Sequence, residues 1–253
     1  IIDRPGFVNL ASGGDSEEST LLKIKGLYGT GAAGRVILPA NAFNIQASPP
    51  ADAFAFASYR EAYVNRRRPL LRTLESRHQR FILNYWRVAL TKGTFRADID
   101  VPEFGGQVPS KLDQKPNFAA RPLAERVDRS KRSLAEFRAT WPKVESVDEL
   151  FLHEVTAIHH ETLRYLRDRG ADVCLVRTPH SPTFRRIAAT DSAHALANTV
   201  FLRLAETYGA RFVDRWSYFE SDEFFWDEIH MNEAAGREFG PKIVSDCFPE
   251  DTK

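Results

Sequence analysis

Four short apolar runs, each entered or left through glycine, constrain the fold of this chain more than any other feature. Residues 7–12 lead into Gly13-Gly14, and residues 35–40 follow a glycine-rich turn. Residues 171–177 follow Gly170, and residues 211–214 follow Gly209. Near-continuous apolar runs of this length are the pattern of strands buried on both faces in a parallel sheet. Helical patterns lie between them, over residues 19–27 and 193–208, and the second stops at Gly209 as a left-handed cap requires. This alternation predicts an α/β fold, a parallel sheet doubly wound through right-handed crossovers. A chain of 253 residues can bury a full core without staples.

The stretch from Asn41 to Ala171 is too long for one crossover. Leu70, Leu71, Leu74, Phe81, Ile82, Tyr85 and Trp86 mark one apolar helical stripe, and Leu123, Val127 and Leu134 a weaker one. Leu150, Phe151, Val155, Ile158, Leu163 and Leu166 mark a third, which ends at Gly170 and reads as the crossover helix itself. Residues 101–118, rich in Pro, Gly and Lys, read as loop. Residues 46–144 are therefore expected to be a helical insertion, a cap over the strand ends within a single domain spanning 1–253.

That insertion is basic, with Arg66, Arg67, Arg68, Arg72, Arg77, Arg80 and Arg87 along its first stripe. Two readings stand: a solvated helix face, or a surface for anionic headgroups, an acidic glycan or an acidic partner. Net charge is +1, and aromatic residues are too sparse among the arginines for a nucleic-acid surface. No apolar run approaches the ~20 residues of a membrane span. Cys174 and Cys247 lack metal-ligand spacing, and Cys174 sits in an apolar strand pattern, so a buried free thiol is expected. His153, His159, His160 and Glu161 do not form a zinc-binding helix motif, and no metal or other cofactor is expected. The chain begins with Ile1 and its one methionine is Met231, so a removed leader or a longer parent chain is expected.

The chemistry-bearing segment is 225–237. Asp227 stands three residues before His230, just ahead of a helix that Asn232 can cap and that Ala235, Phe239 and Ile243 would bury. A carboxylate so placed can hold an imidazole in one tautomer, leaving its other nitrogen to take a proton from a nucleophile. The plain alternative is a helix-start Asp beside a surface His. His180, just past the third run, reads either as a substrate contact or as an ordinary loop residue.

Asp227, His230, Met231, Asn232 and Gly236 together resemble the last sequence block of the SGNH (GDSL-type) hydrolases and acyltransferases. Asn9, Gly14, Asp15 and Ser16 resemble the second block, and Asn41 the third-block asparagine, with Asn44 a nearby rival. The resemblance implies a three-layer, flavodoxin-like α/β/α fold with five parallel strands and all blocks at the strands' C-terminal ends. It also implies catalytic roles for His230 and Asp227, and an oxyanion hole from the Gly14 N–H and the Asn41 side chain. Gly14 and Asn41 read equally as ordinary turn formers.

Gly14-Asp15-Ser16 also spells the first-block signature. Read as the second block, it leaves four strands here and one upstream, so the nucleophilic serine is expected ahead of Ile1, with Ser16 the alternative. The long insertion is similar to that of SGNH proteins of bacterial cell-surface polysaccharide O-acylation, which are extracytoplasmic and membrane-anchored. The implied function is an ester hydrolase or O-acyltransferase on a small acyl ester or acylated glycan. A membrane surface or membrane acyltransferase is the partner expected for residues 66–87. A non-catalytic binding or scaffold protein on the same fold is the competing class.

Overall fold

A computed structural model describes residues 33–45 and 117–249, together with Glu17, Thr20, Leu21, Ile24 and Lys25. Residues 33–45 and 117–249 belong to one compact unit and the other five to a second. Those five are helical, so the helix expected over 19–27 is already present at Glu17. The expected strand at 7–12, Gly14, Ser16 and the arginine-rich stretch 66–87 lie outside the described residues.

Three of the four apolar runs are strands: β1 (Arg35–Pro39), β2 (Asp172–Arg177) and β3 (Arg211–Asp214). They pair in parallel in the order β1-β2-β3, with Ile37 opposite Cys174 and Leu175 opposite Phe212. β2 is central, and Val173, Cys174, Leu175 and Val176 are all buried, which is why its apolar run shows no alternation. The fold is thus mixed α/β around a parallel sheet.

The described helices are α1 (Leu123–Thr140), α2 (Val147–Leu152), α3 (Glu154–Arg167), α4 (Pro182–Ala188), α5 (Ser192–Tyr208) and α6 (Glu233–Cys247). Gly209 at φ +68° ends α5, and Gly170 at φ +69° turns the chain after α3 into β2. Both angles suit a residue without Cβ. α4 begins at Pro182 behind the Ser181 cap, where a missing N–H costs nothing. α3 and α5 pack against β2, and α1 lies beside α4.

Two expectations are corrected. The stripe from Leu150 to Leu166 is not one helix but α2 and α3, broken at His153. His153 Nδ1 accepts the Val155 N–H at 3.2 Å, and the Thr156 hydroxyl bonds the carbonyls of Leu150, Phe151 and His153. His153 thereby satisfies an N–H at the start of α3 and Thr156 carbonyls at the end of α2, so the break is stable although the apolar spacing runs through it. Nor is Cys174 a free thiol: it forms a disulfide with Cys247. Cys247 is the last residue of α6, on the same face as Phe239, Ile243 and Val244, and that face packs on Cys174 and Val176. The helix lands its final turn on the middle strand, a contact the spacing of the two cysteines does not reveal. Closing a 73-residue separation, the bond is worth about 4 kcal/mol in the chain-entropy account.

Candidate active site

The strands all end at one edge of the sheet, and the segment after β2 gathers what lies there. Asn41, two residues past β1, bonds Thr178 twice: its Oδ1 accepts the Thr178 N–H at 3.0 Å and its Nδ2 donates to Thr178 Oγ1 at 2.7 Å. The next residues reach elsewhere. The His180 N–H donates to the Trp216 carbonyl at 3.3 Å, and the Ser181 N–H to the Glu228 carbonyl at 3.1 Å. Residues 178–181 thereby join the end of β1, the chain after β3 and the Asp227–His230 loop at the C-terminal edge. Open α/β sheets place their sites at this edge.

The loop itself is a closed turn. Phe225 and Met231 form an antiparallel bridge, the Trp226 N–H donates to the His230 carbonyl at 2.9 Å, and the Asn232 N–H to the Phe224 carbonyl at 2.9 Å. Inside it, Asp227 Oδ1 accepts the N–H groups of Ile229 at 3.0 Å and His230 at 2.8 Å. The carboxylate also meets the His230 ring, with Oδ2 2.8 Å and Oδ1 3.0 Å from Nδ1. An ionised carboxylate can only accept, so Nδ1 carries the proton and the lone pair of the neutral ring lies on Nε2. Burial is the largest influence on Asp227 and raises its pKa. The hydrogen bond and charge of His230, with the two backbone N–H groups, outweigh it and hold the pKa below the ordinary value. The His230 side chain is 66% exposed and that of Asp227 28%, so the ring is presented to solvent from a half-buried anchor.

The loop is held from behind. Asn232 caps α6 through the Ala235 N–H and, like Asn117, donates its amide to the Glu223 carbonyl. α1 contributes a row of polar contacts: Arg126 pairs with Asp222, and Arg129 and Ser133 both reach Glu228. Arg138 pairs with Asp191, which caps α5.

Beside the loop is a second histidine environment. His180 and His194 are each 2% exposed. They lie among Phe43, Phe137, Phe184 and Trp216. Trp216 Nε1–H donates to His180 Nδ1 at 3.0 Å. Arg177 stacks 4.0 Å over the Trp216 ring, pairs with Asp214 at 3.1 Å and approaches His194 Nδ1 at 3.4 Å. Among the described residues, His194 Nε2 is buried without a hydrogen-bond partner. Burial, then Arg177, against a smaller opposing effect of Asp191, lowers the His194 pKa to about 4. Burial, with the charges of His194, Arg177, His230 and Arg185, pushes His180 well below its usual value. Both rings are neutral near pH 7, and the Ser181 N–H on the Glu228 carbonyl ties the segment that carries His180 to the His230 loop.

Of the residues singled out in the sequence, Asp227 and His230 bond directly, and Asn41 joins them through residues 178–181. Gly14 and Ser16 lie outside the described residues. Asn44 directs its Oδ1 to the Asn41 N–H at 2.9 Å, and its carbonyl meets His159 Nε2 at 2.9 Å. His160 bonds the Tyr208 hydroxyl and the Phe151 carbonyl, so it and His159 act as packing residues. Among the described residues, no group of three or more His, Cys, Asp or Glu could hold a metal ion, and no helix is long and apolar enough to cross a membrane. Sequence reasoning missed Glu228, Ser133 and Trp216. The one signal was an acidic residue at 228 between Asp227 and apolar Ile229, and nothing local pairs it with α1. No family model, curated protein or solved structure matches this chain.

Proposed function

We propose that the protein is a serine-type ester hydrolase or O-acyltransferase of the SGNH class, acting through an acyl-enzyme on an acylated carbohydrate or cell-surface glycan. His230 Nε2 takes the nucleophile's proton, Asp227 holds the ring and stabilises the imidazolium, and Asn41 with Gly14 stabilises the tetrahedral oxyanion. The observation that carries this reading is the Asp227–His230 hydrogen bond on a solvent-facing loop at the strands' C-terminal edge. The adjacency β1-β2-β3 supports a doubly wound sheet, since the last three strands of a flavodoxin-like order lie side by side in this way. The Cys174–Cys247 disulfide supports an oxidising, extracytoplasmic compartment.

The test uses the intact protein and p-nitrophenyl acetate. Asn41→Ala lowers kcat about a hundredfold, the scale of one lost oxyanion donor. Ser16→Ala abolishes turnover if this serine is the nucleophile and spares most of it otherwise. One observation favours a non-catalytic binding protein instead: the Asn41 amide already bonds Thr178 through both its oxygen and its nitrogen. Under that reading Asn41→Ala lowers Tm, and no acyl ester is turned over by the wild type.

A further inference from the structure

Asn41 and Thr178 continue, through a side chain, the ladder that β1 and β2 make with their backbones. Pro39 lies opposite Val176 at the end of the strands, and the Ala40 N–H still donates to the Val176 carbonyl at 2.8 Å. One residue further, the pairing passes to the Asn41 side chain. Its Oδ1 accepts the Thr178 N–H at 3.0 Å, and its Nδ2 donates to Thr178 Oγ1 at 2.7 Å. A backbone N–H can only donate, so the amide oxygen must face it, and this fixes which way the amide is flipped. An amide nitrogen carries two hydrogens. A two-point clasp by one residue engages the hydrogen on the oxygen's edge of the amide plane. The second N–H then points off that edge, away from Thr178, and among the described residues nothing accepts it. The backbone is held too, since the Asn41 N–H donates to Asn44 Oδ1 at 2.9 Å. Asn41 and Thr178 are both half-buried.

We propose that Thr178 is a positioning residue for the oxyanion site: its N–H and hydroxyl set the Asn41 amide so that the second Nδ2–H is aimed at the developing oxyanion. This rests on the esterase or acyltransferase reading and adds to it a residue that the reading does not itself require. A donor stabilises a transition state best when its direction is set beforehand, because no reorganisation is then needed during the reaction. The bonds to Thr178 are thus compatible with a catalytic Asn41, and they are what directs it. Without the hydroxyl, the backbone N–H still holds Oδ1, but the nitrogen edge is no longer fixed. The oxyanion forms only after substrate is bound, so the loss falls on kcat and not on KM.

The intact protein is assayed with p-nitrophenyl acetate. Thr178→Val removes the hydroxyl and keeps the shape and the N–H. It is expected to lower kcat about tenfold with KM changed less than about twofold. Thr178→Ser returns a hydroxyl to the same place and should recover most of that loss. In an Asn41→Ala background, Thr178→Val should lower kcat by less than about twofold, because the group it directs is gone. Where Thr178→Val does not fold, Thr178→Ala removes the same hydroxyl without adding a methyl group, and the same comparisons apply. A wild-type kcat in the folded Val variant overturns the proposal. So does an equal loss in both backgrounds, since the hydroxyl would then act without Asn41, and so does a Ser variant as impaired as the Val variant. If the folded wild type turns over no acyl ester, the functional reading fails and this proposal falls with it. An active wild type matched by Thr178→Val sinks the proposal alone.

Discussion

His230 stands on an exposed turn with its ring against a carboxylate, whereas His180 and His194 are buried beside it among aromatic rings and an arginine. The bonds that shape the exposed turn join residues no more than a few positions apart, from Phe225 to Asn232. The buried cluster instead collects Phe43, Phe137, His180, Phe184, His194 and Trp216 from separate parts of the chain. Under the proposed function, chemistry and stability are thereby divided between neighbouring histidines. The ring that would exchange protons in the proposed reaction is kept wet and paired. Rings that fill a core are kept dry and neutral, and among the described residues one nitrogen of His194 has no partner.

That division fails most visibly if His230 matters to folding. His230→Ala is expected to lower turnover of p-nitrophenyl acetate at least about a thousandfold while Tm moves by less than about 2 °C, since the ring is mostly exposed. A large loss of Tm with intact turnover would reverse the comparison. Phe184→Ala attacks the other side. Phe184 is fully buried, so its removal should cost about 3–5 kcal/mol in a urea titration, and kcat should fall only as far as unfolding explains.

Acid sharpens the contrast. The folded pKa of His194 lies below the unfolded value of 6.5, at about 4, and that of His180 is also lowered. The unfolded chain therefore binds protons that the folded chain refuses. The stability from His194 is complete above pH 6.5 and is lost as pH falls toward 4, at about 1.4 kcal/mol per unit, and His180 acts in the same direction. Asp227, lowered from 3.8, keeps its contribution until pH falls below that value. Denaturation at pH 7 and pH 5 should show the loss, and His194→Leu should reduce its slope; an unchanged slope would remove His194 from the account. The smallest effect is expected at the hinge between loop and helix. Asn232→Ala should cost about 1 kcal/mol through the lost α6 cap, with a modest fall in kcat from a looser turn.

Much of this was legible in the chain. The runs at 35–40, 171–177 and 211–214 are strands within one residue of their expected bounds, because a buried parallel strand writes its burial as an unbroken apolar run. The Asp227–His230 contact was legible for the same local reason: the two residues are three apart, and a short turn brings them together whatever surrounds it. His153 shows where locality misleads. The apolar spacing passes through it, and only the capping bonds of His153 and Thr156 mark the helix break.

By itself, then, the sequence determined the strand runs, the glycine-capped helix ends, the α6 cap at Asn232 and the pairing of Asp227 with His230. Each depends on periodicity or on neighbours within a turn. The tertiary structure alone decided that α6 lays Cys247 on Cys174 across 73 residues and that α1 brings Ser133 to Glu228. It also decided that His180 and His194 share one buried aromatic cluster. Those contacts follow from how amphipathic faces pack on the sheet. Many pairings of such faces bury similar apolar area, and only the assembled core selects one of them.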